Sequence, residues 1–126
     1  MTQTFHKSER LKSKMVFSDL INAGHSAKAF PFVLIWKKVN TEQEYPIRIA
    51  FSVSKKRFPL AVDRNEMKRR ISELYRLHKA EWYNQLKQNY ATLLIFTSKE
   101  KMKSVELETK LIHVFERFIS EVESSN

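Results

Sequence analysis

The chain has no cysteine, one glycine and three prolines in 126 residues. Without cysteine there can be no disulfide, no thiolate zinc site and no thiol nucleophile; a reducing compartment fits, and the cytoplasm is the expected location. A single glycine excludes the glycine-rich loops that cradle nucleotide phosphates. No stretch approaches the roughly 20 apolar residues that span a bilayer. The opening Met-Thr-Gln-Thr-Phe-His-Lys lacks the apolar core of a signal peptide. The four histidines, His6, His25, His78 and His113, show no metal-ligand spacing, and no nucleophile stands beside a base in the pattern. No catalytic side chain and no protein-bound metal are therefore expected.

What is present is positive charge on a chain that can fold. Apolar residues make up 42%, and 23 Lys and Arg against 14 Asp and Glu leave a formal charge of +9. The length suits one domain, 1–126, with a loose basic arm over 1–12 and a frayed tail over 121–126. Such a charge repels itself in a compact state, so a polyanionic partner is expected. Nucleic acid is the first candidate and an anionic membrane the second.

The expected order of elements is α-β-β-β-α-β-α, an α+β sandwich with a four-stranded sheet. Ser13 caps a short helix that carries Val16, Phe17, Leu20 and Ile21 and stops at Gly24, placed as a left-handed terminator. Phe17 is either core or an exposed stacking ring. His25 to Ala29 is an edge strand, broken at Phe30-Pro31. Phe32 to Trp36 is a strong strand, with Phe32, Leu34 and Trp36 on one face and Val33, Ile35 and Lys37 on the other. Ile47 to Ser54 follows, with Ile47, Ile49, Phe51 and Val53 on the core face. Its other face, Arg48, Ala50, Ser52 and Ser54, is small and polar and suits a surface over which a ligand backbone runs. Tyr90 to Thr97 is the last strand. A terminal helix from Ser104 buries Leu107, Leu111, Val114, Phe115, Phe118 and Val122.

The stretch from Ser52 to Arg76 carries the function. A basic knot, Lys55, Lys56 and Arg57, ends the strand. After Pro59 a helix starts near Asp63, or earlier near Leu60, and bears Arg64, Asn65, Lys68, Arg69, Arg70 and Arg76. At 100° per residue Met67, Ile71, Leu74, Tyr75 and His78 form an inner stripe. Asn65, Lys68, Arg69, Ser72, Arg76 and Lys79 form the flank, with Glu66 and Glu73 turned away. Cations sorted to one flank suit regularly spaced phosphates. Asp63 and Glu66 have capping-box spacing, which is favoured over metal binding.

Ser52-Val53-Ser54-Lys55-Lys56, followed by Ala61-Val62-Asp63-Arg64-Asn65-Glu66-Met67-Lys68-Arg69, resembles the protein subunit of bacterial ribonuclease P. Arg10-Leu11-Lys12, with Phe17 seven residues after Arg10, resembles that family's opening helix. The sharp part covers residues 48–69 and the first helix. Glu66 and Ser72 depart from the pattern, where the family has arginines; Arg70 and Arg76 are the neighbouring substitutes. The resemblance implies a sheet like that of the second domain of ribosomal protein S5. It also implies a role in removing the 5′ leader of precursor tRNA, with chemistry and Mg²⁺ held mainly by the catalytic ribonuclease P RNA. Lys55, Lys56, Arg64, Asn65, Lys68 and Arg69 would grip that RNA. Phe17, Arg48, Ser52 and a sheet residue at Ile35 or Trp36 would line a cleft for the single-stranded leader. Neither a membrane nor an obligate protein partner is expected. The competing possibilities are a ribosomal or chaperone-type RNA-binding module and, more remotely, a binder of acidic membranes or proteins.

Overall fold

The molecule is described from a computed structural model covering residues 9–10, 14–40 and 43–125. Seven elements follow in the expected order: α1 Lys14–Ala23, β1 His25–Ala29, β2 Phe32–Val39, β3 Ile47–Val53, α2 Ala61–Asn84, β4 Asn89–Phe96 and α3 Ser104–Ser125. The four strands make one sheet in the order β1-β2-β4-β3. β1 and β2 pair antiparallel, as do β2 and β4, while β3 and β4 run parallel and are joined by α2.

The strand patterns set two layers. Phe32, Leu34 and Trp36 of β2, Ile47, Ile49 and Val53 of β3, and Tyr90, Leu94 and Phe96 of β4 are buried under α2 and α3. On the opposite face Leu20 of α1 closes over Ala91 and Leu93, flanked by Ile35, Val39, Ala50 and Ile95. β4 is therefore covered on both sides, which is why Tyr-Ala-Thr-Leu-Leu-Ile-Phe is nearly unbroken apolar sequence. In α3 all six residues of the expected stripe are buried. Rings join the layers: Trp82 of α2 lies flat on Phe115 of α3 with centroids 4.2 Å apart, and Trp36 of β2 meets Phe118 of α3 edge-on at 5.2 Å.

Gly24 ends α1, but not through the left-handed region, since no residue among those described has positive φ. Its backbone N–H closes onto the Leu20 carbonyl at 2.9 Å. A Cβ there would lie 2.4 Å from that oxygen and 2.8 Å from Ile35 Cγ2. Glycine is needed because the chain turns tightly against β2, leaving no space for a side chain.

The inner stripe of α2 also differs from expectation. It runs Met67, Ile71, Tyr75, Lys79, Trp82 and Tyr83. Lys79, placed on the outer flank by the sequence, is 1% exposed, and its ammonium meets both oxygens of Glu9 at 2.8 Å. Glu9 is fully buried and also accepts from the Tyr83 hydroxyl at 2.6 Å, which lies 2.9 Å from that of Tyr75. Burial pushes both phenols well above the ordinary tyrosine range, so they remain protonated. His78, expected in the core, is instead half-buried, stacked on Trp82 and paired with Glu108 at 3.0 Å. The arm is thus not loose at residues 9–10: Glu9 is locked under the sheet, and Arg10 bridges to Ile49 on the free edge of β3. Residues 1–8 and the cap at Ser13 lie outside the described residues. Among the described residues no helix is long and apolar enough to cross a membrane.

Breaking a buried ion pair from one side strands a charge in low dielectric, whereas replacing both partners by apolar groups does not. Lys79→Met is expected to cost about 3–5 kcal/mol in urea unfolding, with the double variant Glu9→Leu/Lys79→Met recovering most of that loss. A neutral single variant would contradict the buried pair.

Candidate RNA interface

The basic stretch begins where β3 ends. The Ser54 hydroxyl accepts the Lys56 N–H at 3.1 Å, and the Ser54 carbonyl accepts the Phe58 N–H at 2.9 Å, so Lys55, Lys56 and Arg57 are carried on an ordered turn. Phe58 turns back into the core beside Phe96. Helix α2 then starts at Ala61, with extended Leu60 as its N-cap and no side-chain cap bond. The Leu60 carbonyl takes the N–H groups of Asp63 and Arg64 at 3.1 and 3.2 Å.

This start corrects the capping-box expectation. Asp63 is already inside the first turn, where its charge favours the helix dipole. Its carboxylate and that of Glu66 both reach Lys101, at 3.0 and 2.9 Å. The hydrogen bond from Lys101 holds Glu66 below the usual carboxylate range, and Glu66 and then Asp63 hold the Lys101 ammonium above its own. Glu66 is turned from the flank, as expected, by an ion pair rather than a cap. Glu73 is not turned away: it pairs with Arg76, which keeps its carboxyl low.

The nine expected RNA contacts divide into two sets. Four arginines are engaged within the chain. Arg57 donates to the Thr97 carbonyl, and Arg64 to the carbonyls of Phe58 and Pro59 at 2.8 and 2.9 Å. Arg70 holds the Met102 carbonyl and the Ser104 hydroxyl, and Arg76 holds Glu73. Arg70 and Arg76 therefore do not simply replace the arginines missing at 66 and 72; one fastens the start of α3 and the other is balanced by an acid. The second set, Lys55, Lys56, Asn65, Lys68 and Arg69, makes no side-chain hydrogen bond or ion pair among the described residues. Asn65, Lys68 and Arg69 stand at i, i+3 and i+4 and share one flank. Arg57 and Arg64 spend only one Nη each, so they retain donors for a phosphate.

Two cations were missed. The contacts of Lys101, Arg70 and Arg57 staple segment 97–104 along the start of α2 and the basic turn, which brings exposed Lys99 and Lys103 to the same end of the molecule. Alternation of Lys99, Lys101 and Lys103 was visible, but only the ion pair at the middle one decides where the others stand.

On the other face of the sheet, α1 packs over β2 and β4, and Arg48, Ala50 and Ser52 of β3 lie half-buried beside it. Ile35 belongs to this face, in the cluster around Leu20. Trp36 does not: it is 5% exposed and faces α3, because neighbouring strand residues point to opposite sides. It is removed from the cleft. Phe17 falls on α1, but its side chain lies outside the described residues. Arg48 Nε is buried and has no hydrogen-bond partner among the described residues. A buried donor left unpaired costs about 1–3 kcal/mol, and an incoming acceptor would relieve it.

Comparison with known proteins fits this geometry. The family model described as Ribonuclease P matches residues 5–119. The ribonuclease P protein component of Exiguobacterium sibiricum is 36% identical over 112 residues, covering 88% of this chain and 90% of that protein. The one from Chlorobaculum tepidum is 36% identical over 81 residues, covering 62% of this chain and 53% of that protein, about half its length. Among solved structures, the RNase P protein of Staphylococcus aureus superposes with a TM-score of 0.71 at 27% identity, covering 87% of this chain and 94% of that one. The Thermotoga maritima RNase P protein shares the fold, with a TM-score of 0.69 at 23% identity over 86% of this chain and 96% of that one. With its basic turn, Arg-Asn helix and half-covered sheet in place, the chain belongs to the ribonuclease P protein family.

Proposed function

We propose that this protein is the RNA-binding subunit of ribonuclease P and assists the catalytic RNA in removing the 5′ leader from precursor tRNA. The observation that carries this reading is the single-signed ridge of Lys55, Lys56, Asn65, Lys68 and Arg69, left unpaired while the nearby acids Asp63 and Glu66 are drawn off to Lys101. An unpaired cationic ridge on a stiff helix is suited to phosphates at fixed spacing, and an exposed amide between the cations can bond sugar or base edges. The outer face of β3 would receive the leader. There Arg48 offers its unpaired donor to a phosphate, and Ser52 a hydroxyl, on a surface without bulky side chains; such contacts hold single strands with little sequence preference.

The described residues do not suit Mg²⁺ binding by the protein itself. No three of their carboxylates and imidazoles converge, and the acid pair beside the ridge is already occupied by an ammonium. Mg²⁺ would be held by the RNA and would supply the chemistry of phosphodiester cleavage there. The contribution of this chain is to neutralise phosphates and to orient the two RNA strands.

The ridge makes a graded prediction. Lys68→Ala and Arg69→Ala are each expected to weaken binding to ribonuclease P RNA and to reduce the slope of log K against log salt by about one in a filter-binding titration. An unchanged slope in both would remove the ridge from the interface. Reconstitution tests the whole reading: at low Mg²⁺, adding the protein to ribonuclease P RNA and end-labelled precursor tRNA should yield the mature 5′ end faster than RNA alone. Binding without stimulation would favour a ribosomal or chaperone-type RNA-binding module instead.

A further inference from the structure

Phe30 lies outside both the ridge and the cleft. It occupies the tip of the β1–β2 turn with 70% of its surface exposed, and no other Phe, Tyr or Trp among the described residues is classed with it as exposed. A lone exposed apolar residue is ordinary on a protein surface. Three observations set this ring apart.

First, it is presented on a fixed turn. Pro31 is buried, and its carbonyl accepts the Thr97 N–H at 2.7 Å and the Thr97 hydroxyl at 2.9 Å. Phe32 next to it packs on Phe96 with centroids 5.7 Å apart, and Arg117 of α3 holds the Lys28 carbonyl on the strand before. A ring on such a mount loses little freedom when it meets a partner.

Second, the turn is joined to the basic loop. The same Thr97 that pins Pro31 accepts the Arg57 guanidinium on its own carbonyl. Ala29, Phe32, Phe96 and Val53 stand in one row across the four strands, so the Phe30 turn and the Lys55–Arg57 turn leave the sheet from the same end. At about 4.8 Å per strand they are separated by about 10–14 Å. Third, the surroundings are cationic: Lys28, Lys55, Lys56 and Arg57 are all exposed. A rigid ring beside a track of positive charge is the arrangement that holds unpaired nucleotides, by base stacking and phosphate contact together.

We propose that Phe30 is a stacking platform for an unpaired nucleobase of RNA whose phosphates lie on the Lys55–Arg57 turn. This rests on the RNA-binding role given above and adds a contact at the β1–β2 turn, outside the ridge and the cleft. The base comes from ribonuclease P RNA or from the precursor, and the chemistry is the same for both.

The test uses the full chain with Phe30 changed to Ala, Leu or Trp, each checked for an unaltered urea midpoint. Titrations are run against ribonuclease P RNA alone, and against precursor tRNA with and without its leader in the presence of that RNA. Phe30→Ala should lose about fivefold or more in affinity in one of these arms, which identifies the source of the base. The salt slope should not change, because a neutral ring releases no counterions. Phe30→Leu should be as weak as Phe30→Ala. Phe30→Trp should retain affinity and show fluorescence quenching on binding, against the background of the buried Trp36 and Trp82. Wild-type affinity of Phe30→Ala in every arm overturns the proposal, as does rescue by leucine equal to that by tryptophan, which would indicate a greasy contact rather than stacking. Failure of the wild-type chain to bind any of the RNAs would instead overturn the RNA-binding role itself.

Discussion

The ion pairs from Lys101 to Asp63 and Glu66 set the character of the candidate interface. Without them, the first two turns of α2 would carry two carboxylates next to Arg64, Lys68 and Arg69, and the field over the ridge would be mixed. With them, both acids face the segment before α3, and over the first two turns the outer flank is left with one sign. The same contact serves the fold, since it draws the 97–104 segment along the helix together with Arg70. Exposed ion pairs contribute little stability singly. Their consequence here is orientation: they decide which charges a phosphate backbone would meet.

The sheet supplies the second constraint. Because β4 lies between β2 and β3 and is buried on both faces, α1 can cover only part of the outer layer, over β2 and β4. β3 is left with a half-buried strip of small and polar residues containing one unpaired arginine donor. The chain before α1 is fastened at the other margin of β3, where Glu9 enters the interior to meet Lys79 and Arg10 pairs with Ile49. Ridge, strip and arm are thus three products of one arrangement, the parallel β3–α2–β4 unit with its edge strand exposed.

Family and fold class were legible in the pattern of side chains. Alternation gave the faces of β2 and β3, the 3.6-residue period gave the stripe of α3, and the basic stretch after Ser52 pointed to RNA before any contact was known. These signals are local: they depend on spacing along one element, and burial of that element does not alter them. Trp36 shows the limit of a one-residue ambiguity, because in a strand its neighbour Ile35 faces the opposite layer.

The sequence by itself determined seven elements in order, the apolar faces of β2, β3 and α3, and a cationic stretch that no carboxylate run could balance. Only the tertiary structure decided which cations remain unpaired. Lys79 sits in a helix where its spacing allowed either side, and a glutamate seventy positions earlier took it inside. Asp63 and Glu66 matched a capping box, and a lysine in a later loop claimed both. Partners so distant along the chain leave no periodic trace, since an ion pair constrains two charges in space and places no demand on the residues between them.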